Sequence, residues 1–307
     1  MIKMEQIIMM VLKLVRVIET LFTYLITWIL IDIIYMSILF IYQVVPDIKV
    51  FTALFAHISG IIIASMVMFT GLGAGMLWLP LLTFIGVSTS EAVSLSLFTQ
   101  IAGKGIGSYN YYRSQSIELR IFWNFLPYVC LGVIVGYVTG FIISVRYERL
   151  LLVIFVCVAF YLLVDMVRSL YEPPSQQVNS FSLKALKDSK LIVITSSFFT
   201  GLLSIGNSDW LIPHMNQKLN ISTHRSVATG IFIMFTASLF YLLLTWICIL
   251  MDLRSWPENS SLLFLTCSGV IIGGQIGTRI VSIPWFHRHQ KHAFILFLSL
   301  SLIHLLW

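Results

Sequence analysis

Between Val50 and Ser90 the chain carries no Asp, Glu, Lys or Arg. As a helix rising 1.5 Å per residue, Phe51–Gly86 is too long for one straight crossing of a bilayer core roughly 30 Å thick. It must break, and Gly71-Leu72-Gly73-Ala74-Gly75 is where it can. Ile121–Val145, Ser226–Met251 and Asn259–Thr278 are equally free of charge. Only 10% of the residues are charged and 58% are hydrophobic, whereas a soluble domain is roughly 25% charged. The composition excludes an ordinary cytosolic protein and predicts an all-α polytopic transmembrane bundle in a lipid bilayer, most naturally the cell membrane.

The formal net charge of +6 does not indicate nucleic acid as a partner. Lys and Arg cluster in short stretches between apolar runs, where they anchor helices at the interface and bias topology. Cys130, Cys157, Cys248 and Cys267 all lie inside apolar runs without a Cys-x-x-Cys pair, so buried free thiols are expected rather than a disulfide framework or zinc site. Residues 1–19 alternate apolar and basic positions at helical spacing, as in an amphipathic helix lying on the membrane or extending the first span. Thr20–Pro46 is too long for a secretory signal and is expected to be a retained anchor carrying Asp32. The most polar stretch, 171–190, contains Pro173-Pro174 and is expected to link two halves.

Those halves repeat. Cys130–Gly140 lies over Cys267–Gly277 at a constant offset of 137, and Gly73 and Pro80 fall over Gly206 and Pro213 at an offset of 133. One residue later in register, Ser88-Thr89 falls over Ser222-Thr223 and Val93 over Val227. The expected layout is an N-terminal segment (1–50), a first repeat (51–170), the linker (171–190) and a second repeat (191–307). Each repeat has four segments, of which the first is broken. Paired repeats with broken helices are typical of secondary transporters.

The string GLGAGMLWLPLLTFIGVSTSEAVSLSL (71–97) resembles the signature of the TauE/SafE sulfite-exporter family, the toluene-sulfonate uptake permeases. LLSIGNSDWLIP (202–213) is similar to that family's second copy of the motif in degraded form. The glycine seams 132/136/140 and 269/273/277 fit the third helix of each repeat. The resemblance covers roughly residues 51–307 and implies transport of small organic or inorganic anions, commonly sulfite or sulfonates, without ATP-binding apparatus. The chain agrees on the last point, having no GxxxxGK[ST] phosphate loop.

A glycine break inside an apolar helix survives only against protein or a wet cavity. A half-helix starting near Met76 would aim free N–H groups and its positive dipole end into that cavity. Gly71, Gly73 and Gly75 are therefore substrate-binding candidates, or else they only permit close packing or a kink. In the second break Asn207 and Ser208 can contact substrate or simply cap the next half-helix. Asp209 departs from the glycine-rich pattern. A carboxylate near mid-membrane can couple transport by carrying a proton, cap its helix, pair with a cation or touch substrate.

Lys104 lies about 20 Å along the helix from Glu91, deep in the bilayer, with Gln100 and Ser96 at successive turns on the same face. This stripe is expected to face the bundle. Lys104 would then draw an anion while Gln100 and Ser96 donate hydrogen bonds; alternatively Lys104 snorkels, or pairs permanently with Asp209. Gly103, Gly105 and Gly107 would let another helix approach. Gln275 is a weaker pore-facing candidate, and Arg279 is expected to anchor at the interface. His287, His289 and His292 are expected in a basic surface loop rather than a metal site. No catalytic triad, metal set or cofactor motif stands out, so an enzyme is not expected. The leading expectation is a secondary transporter of a small anion, a sulfur-containing oxyanion or organosulfonate, by alternating access, with the proton as coupling ion. The alternatives are an intramembrane enzyme or receptor-like scaffold with the same fold, or an anion channel.

Overall fold

Two glycine-containing interruptions set the architecture. The computed structural model describes residues 50–168, 186, 188–280 and 284–306. The expected N-terminal amphipathic helix and anchor, and most of the linker, lie outside the described residues. Among those described there are ten helices and no strand. The first half holds α1 (Val50–Thr70), α2 (Gly75–Phe84), α3 (Thr89–Arg113), α4 (Leu119–Arg146) and α5 (Glu148–Arg168). The second holds α6 (Lys190–Leu203), α7 (Ser208–Gln217), α8 (Thr223–Leu250), α9 (Ser260–Ile280) and α10 (Pro284–Leu306). In each half a broken first segment supplies two helices, the second of them ten residues long with a proline at its sixth position, Pro80 or Pro213.

Local chemistry explains the boundaries. Ser88, in extended conformation, caps α3 by accepting the Glu91 N–H, and Glu91 and Arg113 complement the dipole at its two ends. Gly86, at φ +90°, closes α2. Residues 284–290 continue into α10, so the expected surface loop at His287–His292 is instead helical; Pro284 at the helix start supplies a φ already suited to it. The side chains of Arg279, His287 and His289 lie outside the described residues. His292 is exposed, and no metal-binding group of His, Cys, Asp or Glu occurs among the described residues.

The packing is reciprocal. The two most extensive helix pairings are α1 with α9 and α4 with α6, so the first helix of each half lies along the fourth helix of the other. Both seams are made by glycines four residues apart. Cβ atoms on Gly269, Gly273 and Gly277 would collide with the carbonyl oxygens of His57, Ile61 and Ser65. Those on Gly132 and Gly136 would collide with the carbonyls of Ile194 and Phe198. Such backbone-to-backbone approach is how helices associate where lipid offers no hydrophobic drive.

Large apolar side chains face outward, and a polar cluster is buried among apolar ones. Val135, Ile142, Val153, Phe160 and Leu243 are exposed, whereas Ser94, Ser96, Gln100, Lys104, Asn207, Ser208 and Asp209 are buried. α4, α5 and α8 are each long and apolar enough to cross a membrane. This is an integral membrane protein. Met76, Leu77, Trp78 and Leu79 of α2 are all buried, as are Leu211, Ile212 and Met215 of α7, so both short helices are enclosed by longer ones.

Candidate functional site

Each break opens on a residue in the left-handed region: Gly71 at φ +74° and Ser204 at φ +62°. The two are equivalent at the 133-residue offset. Glycine adopts this conformation freely, whereas serine does so at a cost of roughly 1–2 kcal/mol. The serine hydroxyl makes contacts that glycine cannot. Ser204 Oγ lies 2.6 Å from Ser96 Oγ, and Gln100 Nε2 donates to Ser204 Oγ at 3.3 Å. Thr200 Oγ1 donates to the Ile205 carbonyl at 2.7 Å, satisfying backbone freed by the break.

The two breaks cross in contact. A Cβ on Gly206 would stand 2.5 Å from Gly73 Cα, and one on Gly73 would strike Gly206 N and stand 2.5 Å from Asp209 Oδ2. A Cβ on Gly75 would run into the Ser204 carbonyl and hydroxyl. Across this crossing Gly73 N–H donates to Asp209 Oδ1, so a buried amide freed by the first break is held by a carboxylate from the second half. The Asp209 N–H in turn donates to the Gly206 carbonyl at 3.0 Å.

Around the crossing lie buried polar atoms with no hydrogen-bond partner: Gln100 Oε1, Lys104 Nζ, both side-chain polar atoms of Asn207, Ser208 Oγ and Asp209 Oδ2. None of these five residues is more than 5% exposed. Each such atom costs roughly 1–3 kcal/mol in desolvation, and a charged one costs more. Such a concentration at one place calls for partners from outside the protein's own side chains, whether water, an ion or a polar ligand. Asn207 and Ser208 do not act as caps, since Asn207 makes no side-chain bond at the start of α7. No ion pair joins Lys104 to Asp209, although Asp209 lies close enough to act on it electrostatically. The Lys104 amine is therefore buried without a direct partner.

The Ser96/Gln100/Lys104 stripe does turn into the bundle. Glycines around Lys104 admit three neighbours: Val270 against Gly103, Phe235 against Gly105 and Met68 against Gly107. Gln275 is half-buried on α9, whose Gly274 packs near the Gly103 carbonyl. Gly71 packs on Ile212 and Val227 rather than on the polar cluster. Ser204 was not singled out by sequence patterning, though its alignment with Gly71 was available there.

Chemically, the site offers the Lys104 amine, an amide donor, a hydroxyl and, once Asp209 lets go of it, the Gly73 N–H. Its unpaired oxygens suit a proton brought by the ligand or held on Asp209. Residues 56–305 match the family model described as Sulfite exporter TauE/SafE. No curated protein and no solved structure matches the chain.

Proposed function

Because the chain belongs to the TauE/SafE sulfite exporter family, a family of membrane transporters, we propose that it is a secondary transporter of a small sulfur-containing oxyanion or organosulfonate in the cell membrane, working by alternating access around the crossed breaks. The observation that carries this reading is the cluster of unpartnered buried polar atoms around Lys104 where Gly73 meets Gly206. Lys104 supplies the charge, Gln100, Asn207 and Ser208 orient the oxygens, and the glycines let the two breaks pack closely enough to bring these groups together.

Asp209 gives the cycle its coupling. While ionised, it occupies the Gly73 N–H as a tethered anion and competes with a free one. Protonation removes that charge and leaves the amide and Lys104 to the substrate, so anion and proton are bound in the same state. Transport then carries both together, in whichever direction their combined gradients run. The buried site must open to each side in turn, and the enclosed half-helices α2 and α7 are the segments that bear on it from both halves.

The test is sulfite flux in proteoliposomes. Saturable flux that accelerates under an imposed pH gradient is expected. Ohmic current without saturation would indicate a channel, and chemical turnover of added substrate without flux would indicate an enzyme.

A further inference from the structure

A second polar cluster lies beside α3, separate from the crossing. The loop between α8 and α9 is held over the start of α3 by two anchors. Glu91 accepts hydrogen bonds from Asn259 N at 2.6 Å and Nδ2 at 2.9 Å, and Trp256 stacks on Phe98 with ring centroids 5.5 Å apart. Thus positioned, Arg254 reaches inward and donates to Ser94 Oγ at 2.7 Å, while its guanidinium sits 6.0 Å from the centre of the Tyr137 ring. Ser94 Oγ also lies 3.2 Å from the Tyr241 hydroxyl.

Arg254, Tyr137 and Tyr241 line one cavity with Ser90, Ser144, Gly201 and others. Arg254 is half-buried and has no carboxylate partner among the described residues. Glu148, near the rim, accepts the Ser90 backbone N–H at 3.4 Å. The Tyr137 hydroxyl is buried in a residue only 5% exposed and makes no hydrogen bond of ordinary geometry, although Arg254 and Thr245 approach it. A guanidinium surrounded by neutral hydroxyls, with no carboxylate beside it, is a site that an anion can enter.

We propose that Arg254, with Tyr137, Tyr241 and Ser94, forms a second oxyanion subsite that recruits the transported anion before it reaches the crossing. The inference rests on the transport reading given above. Gly201 and Leu202 border the cavity one turn before Ser204, and Ser94 precedes Ser96 by two residues on α3, a rise of about 3 Å, so the two subsites share elements. The free space is about 20 Å³, enough for a water-sized group. A sulfur oxyanion is larger than that, so it reaches the guanidinium only where the Ser94 hydroxyl releases Arg254 and the mouth widens.

Concentration dependence of sulfite flux separates recruitment from conduction. Arg254→Gln should raise KM by about tenfold or more, the loss of a charge-assisted contact, while leaving the saturated rate within about threefold of the parent. Arg254→Lys should recover most of the affinity. An unchanged KM in Arg254→Gln, or a fall in saturated rate alone, overturns the proposal. Tyr241→Phe removes one hydroxyl and keeps the ring; should Arg254→Gln not fold, a rise of about threefold in KM for this variant supports the subsite and an unchanged KM overturns it. Absence of saturable sulfite flux in the parent protein would sink the transport reading itself. That outcome is distinct from equal KM values in an active parent and variant.

Discussion

Asp209, on the first turn of α7, accepts the backbone N–H of Gly73, which lies in the break that precedes α2. The two residues belong to different halves of the chain, and their bond joins one interrupted helix to the other. A ligand that uses the Gly73 amide must first displace a carboxylate that is part of the protein.

Asp209→Asn is expected to uncouple flux from protons. The amide is neutral at every pH and mimics the protonated side chain, so sulfite exchange should continue while its response to a pH gradient disappears. Proteoliposome flux with and without the gradient, in parent and variant, reads this directly. Uphill sulfite accumulation driven by protons in the variant would return Asp209 to a purely structural role.

Lys104→Gln should abolish or greatly weaken sulfite flux without lowering the yield of folded protein. Because no ion pair joins Lys104 to Asp209, its removal strands no directly paired carboxylate, and a buried unpaired ammonium costs stability rather than supplying it. Thermal unfolding of the detergent-solubilised protein should shift upward or stay level. A loss of several degrees, rescued by adding Asp209→Asn, would show that the two charges hold each other.

Ser204 separates conformation from chemistry. Ser204→Gly relieves the left-handed backbone, and Ser204→Ala keeps it; both remove the hydroxyl that faces Ser96 and Gln100. The glycine variant should be the more stable of the two by about 1 kcal/mol, and both should lose flux to a similar degree. Chemical denaturation together with flux measures the pair. Full activity in Ser204→Gly would remove the hydroxyl from the site.

Gly75→Leu should insert and accumulate but lose transport, since any side chain there meets the Ser204 carbonyl and forces the breaks apart. Gly86→Ala is the control. Nothing lies within 4 Å of a Cβ at that position, and only its φ of +90° opposes substitution, so a modest stability loss with flux retained is expected. Equal flux in Gly75→Leu and the parent would separate the crossing from transport.

The helical bundle, the location of both breaks and the inward stripe on α3 could be read from charge-free run length, glycine and proline placement, and four-residue spacing. Three features could not. The Gly73–Asp209 contact joins residues 136 positions apart, and nothing local to either announces the other. Asn207 looks like a helix cap by residue type, yet its side chain is left unbonded because the α7 start is buried against the opposite break. Arg254, in a short polar loop, has the local signature of an interfacial anchor. Only the Glu91–Asn259 bonds and the Trp256–Phe98 stack turn it inward.

The exchange of partners between halves has a consequence for biogenesis. When α4 emerges from synthesis, the face carrying Gly132 and Gly136 has no occupant, because α6 has not yet been made, and α1 likewise waits for α9. Until then carbonyls and small residues meant for close helix contact face lipid or the insertion machinery. The nascent first half is an open socket rather than a finished domain. Two separately expressed halves should therefore be short-lived alone and persist only when made together.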